Sequence, residues 1–227
     1  MAATAPSLAA ASTRSKILIA VGIIAALLFI AAGQLPDAYW LRMITKPIPV
    51  LLMAYWVSTL RVRGRYQLAV MIGLLLCALG DILLELSEAT FLFGLIAFLL
   101  GHVAYIVAFL QDNRKLCPLR AAAAYTYGLL AFGFLVRTGT LADMRIPVMV
   151  YVAVISVMLW RAASRVKTPG VPVFSAWAGL VGALFFVFSD SMLAFRLFET
   201  PIQLGGAVVI VTYWLGQLGI TLSAWRK

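Results

Sequence analysis

Eight apolar runs, each long enough to cross a bilayer as an α-helix, take up most of this chain. They cover residues 17–33, 44–60, 66–86, 90–111, 119–136, 146–163, 174–198 and 204–224. A transmembrane helix needs roughly 20 apolar residues, and lipid offers no partner to backbone groups outside a helix or closed barrel. The connections are short, and several carry Pro or Gly. The sequence therefore predicts an all-α, polytopic membrane protein with eight transmembrane helices.

The composition leaves no room for a second, soluble domain. Of the 227 residues, 64% are hydrophobic and 11% are charged, whereas a soluble domain is about half apolar and roughly a quarter charged. We predict one transmembrane domain over residues 17–224, with short tails at 1–16 and 225–227. A net charge of +10 would favour nucleic acid in a soluble chain. Here the basic residues lie between apolar runs, where we expect them to contact lipid headgroups and not nucleic acid.

The 18 Lys and Arg residues predict the orientation of the chain. With eight crossings, 13 fall on the side that holds both termini and five fall on the other side, namely Arg42, Lys46, Arg137, Arg145 and Arg196. Because cytoplasmic loops carry the excess of basic residues, both termini are predicted to be cytoplasmic. The first run also resembles a signal peptide, but the charge separation requires it as a helix. A basic, alanine-rich chain of this kind is expected in a bacterial inner membrane.

A faint internal repeat relates the two halves of the chain. Residues 78–84 and 187–193 each place an aspartate, Asp81 or Asp190, after a small residue and before an apolar stretch. The second and sixth runs also begin alike, at Lys46 and Arg145. An offset of four helices keeps the orientation, so the pattern predicts a parallel repeat of four plus four helices.

Polar side chains inside the apolar runs are the candidates for a functional site. An ionisable group in hydrocarbon costs several kcal/mol unless it faces a partner or a wet cavity, which favours function for Asp81 and Asp190. His102 is the single histidine of the chain, and either a site or a structural hydrogen bond would explain it. Helical spacing adds further candidates on the same faces, which are Glu85, Tyr105, Tyr213 and Gln217.

The residue types favour acid–base chemistry without a metal. Zinc hydrolases usually use two or three His, and a Ser-His-Asp triad through Ser189 or Ser191 lacks the GxSxG turn. Two carboxyls in one apolar cavity tend to titrate apart, so that one is protonated and one ionised near neutrality. Such a pair can perform general acid–base catalysis. We therefore predict no metal and no cofactor.

Several short motifs occur in a definite order along the chain, namely Lys46-Pro47, Gly80-Asp81, the series Gly94, Phe98, His102 and Tyr105, the pair Ser189-Asp190, and Tyr213 with Gln217. In their order and spacing these motifs resemble the YhhN family of eight-span membrane proteins, which includes the animal lysoplasmalogenases. The resemblance implies hydrolysis of the vinyl-ether bond of a lysoplasmalogen to a fatty aldehyde and a glycerophospho-alcohol, such as glycerophosphoethanolamine or glycerophosphocholine.

The resemblance also implies roles for individual residues. Asp81 and Asp190 would be the acid–base pair, His102, Tyr213 and Gln217 would line the pocket, and Lys46 would meet the substrate phosphate. Glu85, Tyr105 and Ser189 complete the expected substrate-binding set. Two alternatives stay open. One is a proton-coupled transporter, which would also use intramembrane Asp and His; the other is a membrane esterase or amidase acting on lysophospholipids.

Overall fold

The computed structural model describes residues 8–61, 64–137, 141, 144–198 and 205–226, and this part of the chain is helical without strands. Its nine α-helices are α1 (Leu8–Ala32), α2 (Tyr39–Thr45), α3 (Ile48–Ser58), α4 (Arg65–Leu86), α5 (Phe91–Leu110), α6 (Pro118–Arg137), α7 (Arg145–Arg165), α8 (Val173–Phe198) and α9 (Gly205–Ser223). A 3-10 turn, Glu88–Thr90, joins α4 to α5. The all-α fold class is confirmed.

Seven of these helices are long and apolar enough to cross a membrane, so a multi-pass membrane protein is confirmed. The exception is the second apolar run, where one helix over residues 44–60 was predicted and the structure instead has the short helices α2 and α3. Pro47 and Pro49 explain this correction, because neither has an N–H to donate to the preceding turn. Lys46 and Pro47 keep right-handed helical dihedrals, so the segment follows the course of a kinked helix.

Two helix pairs are packed unusually closely through glycine. In the α8–α9 pair, a Cβ atom on Gly182 would lie 2.5 Å from the backbone nitrogen of Ile220 and 2.7 Å from the carbonyl oxygen of Gly216. In the α4–α5 pair, a Cβ atom on Gly101 would lie 2.7 Å from Sγ of Cys77. Small residues let helix backbones approach in a membrane, where dispersion contacts replace the hydrophobic effect as the driving force for association. These two pairs are the rigid frame of the bundle.

A buried ionic cluster ties together the helix ends opposite α2. Arg165, at the end of α7, is fully buried; its Nε donates to Asp112 at 2.7 Å and its Nη2 to Oγ of Ser175 at 2.7 Å. Arg226 adds a two-pronged contact, with both donor–acceptor distances to Asp112 at 2.8 Å. Because every charge here has a partner, this cluster joins α5, α7, α8 and the end of the chain.

We expect the α8–α9 contact to be intolerant of one added methyl group. Gly182→Ala forces the new Cβ against backbone atoms that cannot rotate away, and overpacking of this kind costs about 1–3 kcal/mol. The matched control is Gly133→Ala in α6, where a Cβ would meet nothing within 4 Å. Thermal unfolding of the detergent-solubilised protein should show a lower Tm for Gly182→Ala and no loss for Gly133→Ala. Equal Tm values for the two variants would contradict the close packing.

Candidate active site

One cavity of about 360 Å³ lies inside the bundle and is lined by residues of α4, α5, α6, α7, α8 and α9 and of the end of α1. Asp81 of α4 and Asp190 of α8 are part of its wall. Four further charged side chains, Arg42, Lys46, Glu85 and Arg196, also line it and together are called the mouth below; Arg42 and Arg196 are the most exposed of the four. Most of the remaining wall is apolar, including Phe29, Leu95, Leu135, Val148, Ile155 and Val187. An apolar cavity with a few convergent polar groups is the usual form of a ligand site.

Asp81 is buried between α4 and α9 and is held by a tyrosine. The residue is 1% exposed, and its Oδ2 accepts a hydrogen bond of 2.8 Å from the hydroxyl of Tyr213. The Tyr213 ring is itself fixed by edge-to-face contacts with Phe98, at 5.7 Å between centroids, and with Phe186, at 5.4 Å. The aromatic contacts restrict the ring, so the direction of the hydroxyl, and with it one carboxyl oxygen, is set.

Asp190 has the same arrangement on the other side of the cavity. Its Oδ2 accepts a hydrogen bond of 2.6 Å from Tyr151 of α7, and its side chain is 16% exposed. Nε2 of His102 lies 3.9 Å from the same oxygen, which is beyond hydrogen-bond distance. Each carboxyl thus presents Oδ2 to a tyrosine of a neighbouring helix. Oδ1 of each has no hydrogen-bond partner among the described residues, so it is the oxygen available to a ligand in the cavity.

The mouth is an ion cluster carried by the end of α4 and by α2. Glu85 accepts from Nη2 of Arg42 at 2.6 Å and from Nζ of Lys46 at 3.1 Å. Asp81 and Glu85 are four residues apart on α4, hence on one face and about 6 Å apart along the helix axis. The kink at Pro47 positions this lysine, because it turns the chain between α2 and α3 beside the end of α4.

Comparison with known proteins assigns the chain to a family. Residues 41–224 match the YhhN family. The chain belongs to the YhhN family. It is 32% identical to the lysoplasmalogenase TMEM86B of Sus scrofa over 81% of this chain and 75% of that protein, and 32% identical to its Homo sapiens counterpart over 83% and 77%. The lysoplasmalogenase of Mycobacterium bovis is 35% identical over 66% of this chain and 56% of its own length. No solved structure matches the chain.

In this YhhN protein, the cavity wall includes six of the nine residues singled out from the sequence, namely Lys46, Asp81, Glu85, Ser189, Asp190 and Tyr213. Ser189 turns its hydroxyl to the carbonyl oxygen of Val209, at 2.7 Å, so it joins α8 to α9 and is not poised as a nucleophile. Among the described residues, no three His, Cys, Asp or Glu side chains lie together as a metal site would need.

The other three predicted residues lie behind the cavity wall. Tyr105 donates to Oε1 of Gln217 at 2.6 Å, and both side chains are fully buried. His102 is fully buried against Phe186, at 4.6 Å between ring centroids, and both of its nitrogens lack a hydrogen-bond partner in the part of the chain that the structure describes. These three residues support the wall between α5 and α9 and do not themselves line the space.

Sequence reasoning missed three residues of the site, which are Tyr151, Arg42 and Arg196. Tyr151 lies inside an apolar run among residues that give it no distinguishing pattern. One signal for it was available, since a tyrosine hydroxyl in the middle of a membrane helix needs a polar partner. Arg42 and Arg196 were counted only as orientation charges, although both are predicted to lie on the side toward which Asp81 and Asp190 are displaced.

Proposed function

We propose that this protein is a lysoplasmalogenase that hydrolyses the vinyl-ether bond of a lysoplasmalogen within the membrane. The observation that carries the proposal is one largely apolar cavity that combines two tyrosine-held carboxyls with a cationic mouth. The relatives named as lysoplasmalogenases, at about one-third identity over most of the chain, support it. The substrate is a lysophospholipid, with its chain in the apolar part and its phosphate at the mouth. No cofactor takes part.

The spacing of the carboxyls and cations suits the glycerol backbone of such a lipid. Asp81 and Glu85 are separated by about one helical turn, or roughly 6 Å along the axis of α4. Lys46 is bound to Glu85. In a lysoplasmalogen, the oxygen of the vinyl ether and the phosphorus are five bonds apart, a comparable span. A lipid whose phosphate contacts Lys46 therefore brings its vinyl ether to the Asp pair, which is Asp81 and Asp190.

The chemistry requires a proton donor and a group that stabilises a cation. Protonation of the outer alkene carbon leaves an oxocarbenium ion at the carbon that carries oxygen. Glycosidases also use two carboxyls at an oxocarbenium-like transition state, although their acid protonates the leaving oxygen. One member of the Asp pair, neutral in the apolar cavity, gives the proton through Oδ1. The other, ionised, faces the cation and then accepts a proton from the attacking water. The hemiacetal collapses, with a proton returned to the leaving oxygen, to aldehyde and glycerophospho-alcohol.

The tyrosines fix the direction of the reacting oxygens. Each donates to Oδ2 of its aspartate, so Oδ1 is held toward the cavity, and the same hydrogen bond stabilises whichever aspartate is ionised. Preorganised donors and charges in a water-poor site contribute more to catalysis than the same groups in water. Tyr105, Gln217 and His102 act from behind, by holding α5 and α9 at the distance that brings Tyr213 to Asp81.

For the membrane topology, we propose eight crossings, with the kinked segment α2–α3 as the second. Both termini are then cytoplasmic, the mouth faces the opposite side of a bacterial inner membrane, and the close pairs α4–α5 and α8–α9 correspond in a repeat of four plus four helices. The basic residues support this orientation, since 13 of 18 fall on the side of the termini.

Labelling with a membrane-impermeant maleimide tests the crossings. In a background with Cys117→Ser, a cysteine at position 12 and another added after Lys227 should both be protected in intact spheroplasts, while Glu88→Cys should react. Cys77 is buried and does not interfere. Labelling of one terminus alone would mean that α2–α3 does not cross the membrane.

We expect Asp81→Asn and Asp190→Asn to abolish turnover with little change in Tm, because an asparagine oxygen still accepts the tyrosine hydrogen bond but the side chain cannot exchange a proton. The matched control is Asp37→Asn, at an exposed position with φ of 62°, which asparagine tolerates. Aldehyde release by the purified protein is the measurement. An Asn variant that keeps more than about a tenth of the wild-type rate, so that it loses less than roughly 1.4 kcal/mol of transition-state stabilisation, would remove that aspartate from the acid–base pair.

Isotopic labelling of the products tests the reaction itself. In heavy water the fatty aldehyde should carry one deuterium at its α-carbon, and in ¹⁸O-water its oxygen should be labelled, because water adds to the former vinyl carbon. Short incubations with borohydride trapping limit enolisation and hydrate exchange, and mass spectrometry reads the trapped alcohol. A fatty-acid product, or efficient cleavage of saturated ester lysolipids, would instead identify a lysophospholipase. Turnover in detergent also separates an enzyme from a transporter, which needs two compartments.

A further inference from the structure

The mouth has more positive charge than its one carboxylate neutralises. Glu85 is shared by Arg42 and Lys46, whose donor–acceptor distances are 2.6 and 3.1 Å. The side chains of Lys46 and Glu85 are 13% and 10% exposed, whereas that of Arg42 is 41% exposed. Arg42 therefore lies at the edge, and Lys46 and Glu85 both lie further inside.

A third cation comes from α8. Arg196, in the last turn of α8, lines the same cavity and is exposed. Its guanidinium lies across the start of α9, where a Cβ on Gly206 would be 3.1 Å from Nη1. Within the described residues no carboxylate forms a salt bridge with it. With Glu85 as the single carboxylate, the four side chains carry a net charge of +2, which an anionic group in the cavity would offset.

An aromatic ring accompanies these charges. Phe29 of α1 lines the cavity, with its centroid 5.5 Å from Cζ of Arg42 and 5.9 Å from Nζ of Lys46. Ring faces attract ammonium groups as well as side-chain cations. Each oxygen of Glu85 accepts one hydrogen bond from a side chain, while a carboxylate oxygen can accept two. Glu85 can therefore accept a further cation without releasing Arg42 or Lys46.

From this geometry we propose that the mouth selects the lipid headgroup: the phosphodiester lies between Arg196 and Lys46, and Glu85, beside Phe29, binds the ammonium group of an ethanolamine or choline headgroup. The proposal rests on the proposed function for the orientation of the lipid. It adds Arg42, Arg196 and Phe29 to the site and makes Glu85 the residue that distinguishes zwitterionic from anionic headgroups. Arg42 holds Glu85 in place from the exposed side.

The test compares two lysoplasmalogens that differ only in headgroup, phosphocholine and phosphoglycerol. Glu85→Gln keeps the shape of the side chain and one acceptor oxygen but loses the charge. The ratio of kcat/KM for the choline lipid over the glycerol lipid should fall by about tenfold, because the trimethylammonium group has no N–H to donate and its contact with Glu85 is a partly buried ion pair, which contributes on that order. Glu88→Gln, an exposed glutamate outside the cavity, is the control and should leave the ratio unchanged. A loss of kcat/KM that is equal for both lipids would overturn the ammonium contact and leave Glu85 as a support for the two cations.

A binding measurement keeps this result separate from the proposed reaction. Saturated alkyl-ether lysophosphocholine and lysophosphoglycerol, which have no vinyl ether to cleave, are titrated in mild detergent while the shift in Tm is followed. Glu85→Gln should weaken binding of the choline lipid relative to binding of the glycerol lipid here as well, even if the chain proved not to cleave vinyl ethers.

A second variant tests the phosphate contact. Arg196→Gln should weaken the binding of both lipids by about tenfold. Its control is Arg145→Gln, whose side chain does not line the cavity. Inorganic phosphate and glycerophosphocholine should stabilise the protein far less; stabilisation by phosphate equal to that by the lipid would mean a general anion site and overturn the proposal.

Discussion

The hydrogen bonds from Tyr213 to Asp81 and from Tyr151 to Asp190 are the interactions on which the site depends. Burial of a carboxyl group among membrane helices costs several kcal/mol of free energy unless the group has a partner. A single hydroxyl donor offsets part of this free energy and leaves one carboxyl oxygen unbonded. The donors come from α9 and α7, so both bonds exist only once the helices have assembled. The rest of the bundle can be understood as the structure that holds these helices at the right distance.

Glycine residues set the distance between α8 and α9. Because Gly182 and Gly216 let α8 and α9 approach until their backbones touch, the face of α9 that carries Tyr213 and Gln217 turns toward α4 and α5. Gln217 then accepts a hydrogen bond from the hydroxyl of Tyr105. Phe186 packs between His102 and the rings of Tyr105 and Tyr213. Tyr105 and Gln217, which were expected in the pocket but lie behind it, thus have a physical reason for their polarity, since they hydrogen-bond helix to helix where lipid offers no other partner. His102 packs against Phe186 in the same region.

Much of this could be predicted from the sequence, because membrane insertion acts on stretches of about 20 residues. The all-α class followed from the length of the apolar runs, and Asp81 and Asp190 stood out because carboxylates are so costly in such runs. Continuity of the second run could not be judged from hydropathy, which averages over the whole run and does not register that the backbone loses two N–H donors at Pro47 and Pro49. Tyr151 carried one signal, the need of its hydroxyl for a polar partner inside the membrane, but the sequence does not say that this partner is Asp190. The contacts between side chains of different helices depend on how the bundle packs. The period of 3.6 residues within one helix does not reveal these contacts.

The two ion clusters at opposite ends of α4 show how similar residues serve different purposes. Near its beginning, Asp112 receives three charge-assisted hydrogen bonds from Arg165 and Arg226, and Arg226 also lies 3.6 Å from the ring centroid of Tyr66. In that cluster both arginines are paired with Asp112, so it joins helix ends. Near the end of α4, Glu85 binds two cations that line the cavity, and Arg196 lines the same cavity. Charges left without full compensation beside a cavity weaken the folded state, since their mutual repulsion is not offset. A bound phosphodiester would offset it. Under the proposed function, this offset would couple headgroup binding at the mouth to the position of the reacting bond at the Asp pair.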